Sequence, residues 1–112
     1  MQIKAETYSV WTEGSDVYFD GTMRLSGTQA YQPILELLQE VLAEKPPSMT
    51  LDLTNLEFLN SSGINLLAKF TIELRKHSDT RLVVRATSEI PWQAKSIRNL
   101  QKLHPGLTLI MT

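Results

Sequence analysis

From Met49 onward the chain switches repeatedly between two spacings of apolar residues, and that switching limits the folds open to it. Met49, Leu51 and Leu53 alternate with Thr50 and Asp52, as one face of a strand does. Ile64, Leu67, Ala68, Thr71 and Leu74 then recur at three- and four-residue steps, which predicts a helix from Ser61 to about Lys76. Leu82-Val83-Val84 within Arg81–Ala86 suits a buried central strand. A third helix is expected through Trp92, Ala94, Ile97 and Leu100, with Pro91 in its first turn and Thr87 or Ser88 as its cap. His104-Pro105-Gly106 stops it, and Leu107–Met111 forms the last strand.

Upstream, Tyr31, Ile34, Leu35, Leu38, Val41 and Leu42 mark one face of a helix from about Ala30 to Glu44, which Pro46-Pro47 ends. Pro33 is placed in its first turn, where a missing N–H does no harm. Tyr8–Thr12 and Val17–Phe19 read as two strands of a hairpin around the turn Glu13-Gly14-Ser15-Asp16, ending near Asp20-Gly21. A short extended piece carrying Met23 and Leu25 follows. The expected fold class is therefore mixed α/β (α+β): an N-terminal β-hairpin, then alternating helix and strand units forming a mixed sheet flanked by helices. At 112 residues, a single domain spanning 1–112 is expected.

Composition excludes several function classes. There is no cysteine, hence no disulfide framework, thiolate metal site or cysteine nucleophile. Eleven basic and twelve acidic side chains leave a formal charge of -1, which offers no general field for nucleic acid or anionic lipid. No apolar run approaches the length of a membrane span, and the first residues lack the apolar stretch of a signal peptide. A cytoplasmic protein without membrane insertion or nucleic-acid partner is expected.

Catalytic constellations are not apparent. His77 and His104 both fall where helices end, a favourable place for a cation, and neither has a companion at metal-ligand spacing. Asp52 has no paired carboxylate nearby, and neither a nucleophile elbow nor a glycine-rich phosphate loop occurs. The expectation is no enzyme, no metal and no cofactor. An enzymatic alternative would need a base beside Ser61 or Ser62, and no histidine precedes His77. Trp11 is assigned to the core or a sheet face. Trp92 is assigned to packing against the sheet edge, with a partner contact as the alternative. Leu66, Phe70 and Ile72 widen the apolar surface of the second helix, either under neighbouring helices or as a contact for a second chain; oligomeric state is left open.

The informative segment runs from Leu51 to Ile64. A strand ends, a loop carries Leu56, Phe58 and Leu59 inward, and Asn60-Ser61-Ser62-Gly63 opens the next helix. On structural grounds Asn60 or Ser61 is an N-cap worth about 1 kcal/mol over alanine, and Gly63 permits close packing. The same geometry admits function. Two hydroxyls sit where unpaired N–H groups and the positive end of the helix dipole converge, so a phosphate there is tolerated by the helix and changes how a partner docks.

Leu51-Asp52-Leu53-Thr54 together with Asn60-Ser61-Ser62-Gly63-Ile64 resembles the signature of the STAS domain family, of the bacterial anti-sigma factor antagonist type; the match runs from Leu51 to Ala68. The resemblance implies a non-enzymatic regulatory domain in bacterial signal transduction and transcription regulation, working by partner switching. Its partners would be an anti-sigma factor that is also a serine kinase and a PP2C-type phosphatase. Carried over, the phosphorylation site is Ser62, with Ser61 as second choice, and Asn60, Ser61, Ser62, Gly63, Ile64 and Asn65 form the partner-binding surface. Asn60 stands where the family often has aspartate, which removes a charge that would oppose a neighbouring phosphate. The alternative that the resemblance allows is an accessory subunit of an ABC-type lipid transporter ATPase, in which the hydroxyl region contacts the ATPase without phosphorylation. The reading as the cytoplasmic tail of an anion transporter is set aside because no spanning segment precedes the domain.

Overall fold

The first strand is one that sequence patterning misses: β1 (Gln2–Lys4) is too short to show a period, and it pairs antiparallel with β2 (Tyr8–Glu13). In the computed structural model, which describes residues 1–112, β2 then turns into β3 (Asp16–Met23), with Glu13 opposite Asp16. The connection is thus the two residues Gly14-Ser15. Gly14 has φ +62, a left-handed conformation that glycine enters without steric cost. β3 continues to Met23, absorbing most of the extended piece expected as separate.

The remaining elements alternate: α1 (Gly27–Ala43), β4 (Ser48–Leu59), α2 (Ser61–Leu74), β5 (Arg81–Ala86), α3 (Pro91–Leu103) and β6 (Thr108–Met111). The six strands form one sheet in chain order, antiparallel from β1 to β3 and parallel from β3 to β6. The fold class is the mixed α/β arrangement expected. Because every parallel crossover steps toward β6, right-handed connections put all three helices on one face, where α1 contacts α2 and α2 contacts α3. That face carries Val10, Val17, Phe19, Leu51, Leu53, Leu82 and Val84, all buried. The alternate positions are half-buried or exposed. Among them Trp11 stacks on Tyr18, ring centroids 5.5 Å apart, on the helix-free face.

Two helix starts differ from the sequence reading. α1 begins at Gly27, earlier than Ala30, because Gly27-Thr28-Gln29 is polar and carries no periodic signal. Pro33 therefore lies in the second turn; it is exposed, so the carbonyl it leaves unbonded faces water. α3 begins at Pro91, later than a cap at Thr87 or Ser88 would place it; the cap position is Ile90 and no side chain caps it. Thr87 Oγ1 instead accepts the N–H of Glu89 at 3.2 Å, and the Ser88 hydroxyl donates to the Thr112 carbonyl at 3.2 Å. Leu66 and Phe70 join the core, whereas Ile72 is exposed.

The largest difference lies in β4. Residues 54 to 59 are not a loop but the second half of a strand of 12 residues. Two register shifts against β3 each insert one extra residue in β4: Asp52 to Asn55 spans Tyr18 to Asp20, and Leu56 to Phe58 spans Gly21 to Thr22. Each bulge resets the alternation, so the buried positions run Leu51, Leu53, Leu56, Leu59 and the period of two is lost. Phe58, expected to point inward, is exposed; Leu56 and Leu59 are buried. At the first bulge Asp52 folds back, its carboxylate accepting the Thr54 N–H at 3.0 Å and the Thr54 hydroxyl at 2.6 Å.

Pairing between β4 and β5 stops at Asp52 and Arg85, which leaves the carbonyls beyond it on that side without a β5 partner. Gln93, buried in α3, supplies the donors. Its Nε2 reaches the carbonyls of Leu53 at 2.6 Å and Leu56 at 3.0 Å, while its Oε1 accepts the Thr87 N–H at 2.9 Å. The Trp92 indole N–H donates to the Leu56 carbonyl at 3.0 Å, so Trp92 packs at the end of the sheet. A buried amide with its partners satisfied adds rigidity. The end of β4, from which α2 departs, is held firmly.

Candidate functional site

Three pieces of chain meet where β4 hands over to α2, and Asn60 joins them. Asn60 is the N-cap of α2, extended at φ -78 and ψ 176, and its Oδ1 accepts the Gly63 N–H at 3.1 Å. The same oxygen accepts the Tyr31 hydroxyl of α1 at 2.6 Å. Its Nδ2 donates to the Leu25 carbonyl, in the segment between β3 and α1, at 2.8 Å. The backbone adds Asn60 N–H to the Met23 carbonyl at 3.2 Å and Ile64 N–H to the Asn60 carbonyl at 3.0 Å. The Leu25 bond explains the asparagine. A carboxylate could cap the helix and accept from Tyr31, but it has no proton to give a carbonyl.

Tyr31 is 1% exposed, and its hydroxyl also lies 3.2 Å from the Met23 carbonyl. Burial pushes its phenol above the usual 10.0, and the neighbouring Tyr8 adds to this, partly offset by the backbone at Leu25. Gly63 is buried against the same group. A Cβ there would fall within 2.8 Å of Leu59 Cγ and 2.9 Å of the Tyr31 oxygen, besides colliding with Leu59 Cδ1. Gly63 thus lets the first turn of α2 press onto Leu59 and Tyr31.

Asn60 and Gly63 hold this turn from below; Ser61 and Ser62 lie on its outer side. Ser61 is exposed, Ser62 and Ile64 are half-buried, and Asn65 is exposed. Neither serine hydroxyl belongs to the Asn60 network. The first turn holds no acidic residue. Between α1 and α2 a small groove of about 100 Å³ opens beside Ser62, with Tyr31, Leu35 and Leu66 as its apolar walls and Asn65 and Lys69 at its rim. On the β3 side the Arg24 guanidinium lies 4.6 Å over the ring of exposed Phe58. Sequence reasoning located the quartet but missed Tyr31, Lys69 and Arg24. A tyrosine on an otherwise aliphatic helix face was the one available signal for Tyr31.

His104 is the residue that ends α3, and the His77 N–H donates to the Leu74 carbonyl just past α2. No group of three or more His, Asp or Glu side chains is placed to hold a metal ion. No helix is long and apolar enough to cross a membrane.

No protein-family model matches the sequence, and no curated protein matches it. Solved structures do. The crystal structure of an anti-sigma factor antagonist from Mycobacterium paratuberculosis matches at a TM-score of 0.64 and 25% identity, over 91% of this chain and 84% of that one. A chain from the crystal structure of the diguanylate cyclase SiaD in complex with its activator SiaC from Pseudomonas aeruginosa matches at a TM-score of 0.75 and 12% identity, over 99% of this chain and 97% of that one. The fold is therefore one that regulatory, partner-binding proteins use. It is the STAS-type fold of the anti-sigma factor antagonists.

Proposed function

We propose that this chain is a non-enzymatic regulatory domain that binds a protein partner through the start of α2 and is switched by reversible phosphorylation of Ser62, with Ser61 as second choice. The observation that carries this reading is the arrangement of the turn. Its inner side is fixed by Asn60, Tyr31 and Gly63, while the two serine hydroxyls stand outside that network at the dipole-positive end of a helix of 14 residues. A phosphate there adds about -1.5 to -2 charges at pH 7 without straining the helix, and it changes the one surface a partner would read.

In this reading the surface comprises Asn60, Ser61, Ser62, Ile64 and Asn65, with buried Gly63 setting its shape. The partners are an anti-sigma factor with serine kinase activity and a PP2C-type phosphatase, and the setting is bacterial and cytoplasmic. The antagonist likeness supports it through fold, coverage and the 25% identity. The complex of a cyclase with its activator supports only the broader statement that this fold suits protein partners. Incubating the chain with a cognate serine kinase and ATP, then locating label by mass spectrometry, tests the proposal. Label on Ser62, lost in Ser62→Ala and removed by a metal-dependent phosphatase, is the expected result. Label elsewhere, or none, overturns it.

A further inference from the structure

The groove beside the first turn of α2 is lined by charge of one sign. The turn has no acid of its own, and cations flank it on two sides: Arg24 over Phe58, and Lys69 at the rim of the groove that Ser62 borders. Lys69 is the only ionised side chain lining that groove. One turn further along α2 stands Glu73, the carboxylate best placed to neutralise it. Glu73 is engaged from α1 instead, both its oxygens receiving the Gln39 amide at 3.2 and 3.3 Å. Lys69 itself is exposed and lines the groove.

The groove itself is apolar and small. Its walls are Tyr31, Leu35 and Leu66, and about 100 Å³ is less than the 150 Å³ or so that holds a benzene ring. One aliphatic side chain fits it; a cofactor or a drug-sized ligand does not.

We infer that this groove receives a single aliphatic side chain from an acidic segment of the partner, whose carboxylate pairs with Lys69. The inference rests on reading Ser62 as the switch and supplies its mechanism. A phosphoryl group on Ser62 stands at the same rim, takes Lys69 as its own counter-ion and repels the incoming carboxylates. Phosphorylation then expels the partner by occupying its cation, with no change in fold. Arg24 on the opposite flank extends the attraction for an acidic surface, mainly through the rate of encounter.

The test uses the full chain, labelled with ¹⁵N, and two short synthetic helical peptides. Each carries one leucine, flanked in one by glutamates and in the other by lysines. The glutamate peptide is expected to shift the amides of Ser62, Asn65, Leu66 and Lys69, and the lysine peptide is not. Lys69→Glu, an exposed helix position that keeps the fold, should weaken the glutamate peptide by about tenfold and reverse the preference. Ser62→Glu should weaken it as well. Equal shifts from both peptides, shifts centred away from the groove, or no shift from either at millimolar concentration overturn the inference. If kinase labelling of Ser62 persists while the peptide result fails, the groove inference alone falls. If the peptide result holds while label appears elsewhere, the switch alone falls.

Discussion

Asn60→Asp is the substitution that best separates the hydrogen-bonding account of this turn from a charge-based one. It preserves the N-cap oxygen for Gly63 and the acceptor for Tyr31, and it removes only the Nδ2 donor, 2.8 Å from the Leu25 carbonyl. Losing a partner from a partly buried carbonyl costs about 1–3 kcal/mol, and the low end applies because Leu25 is half-buried. A carboxylate at a helix N-terminus returns about 0.3–1 kcal/mol through the dipole. The net expectation is a protein less stable by about 1 kcal/mol at neutral pH. Acid should narrow the gap: once the new carboxyl is protonated, below about pH 4, it has an O–H to offer Leu25. Urea unfolding of both proteins at pH 7 and in mild acid, with equal m-values, measures this. An aspartate variant as stable as the parent at pH 7, or a gap that widens on acidification, would refute the argument that the Leu25 contact selects asparagine.

Three further outcomes are expected. Gly63→Ala pushes a methyl against Leu59 and the Tyr31 oxygen and should cost about 1–3 kcal/mol in denaturant unfolding, despite alanine's better helix propensity. Tyr31→Phe should cost about 1–2 kcal/mol at neutral pH by leaving Asn60 Oδ1 one donor short. It should also remove an alkaline transition: the Tyr31 phenol is raised in the folded state, so its contribution is complete below the ordinary pKa of 10.0 and is lost as pH rises through the higher folded value. Tyrosinate absorbance at alkaline pH, followed alongside circular dichroism, reads both. Gln93→Ala should cost about 2–3 kcal/mol, since the Leu53 carbonyl and the Thr87 N–H lose their partner together while the Leu56 carbonyl keeps the Trp92 indole; thermal unfolding detects it, and a loss within error of zero would mean the β4 end is wet.

Most of the architecture was legible because each helix and each parallel strand carries its own apolar period. The β5 limits, Arg81–Ala86, follow directly from Leu82-Val83-Val84. What escaped has physical reasons. β1 is three residues long, below the length at which a period of two can be recognised. The far half of β4 was misread as a loop because two bulges turn Leu53, Leu56 and Leu59 into a spacing of three, which breaks the strand period over a run too short to read as a helix. At the site, Asn60 as a cap is a local rule and could be read directly. Its bonds to Tyr31 and Leu25 are 29 and 35 residues distant in the chain, and only the fold brings them together. Lys69 gained meaning the same way, since no sequence rule says that Gln39 will occupy Glu73.

Strand order that follows chain order has a bearing on biosynthesis. Each new strand adds beside the one just laid down, so during translation a nascent chain can grow its sheet one unit at a time from the N-terminal edge, never needing to insert between strands already joined. The outermost strands end up five ladder spacings apart, about 24 Å measured across the sheet. A direct splice of β6 back to β1 would therefore have to cross the width of the molecule, whereas trimming from the β6 side shortens the sheet without opening its middle.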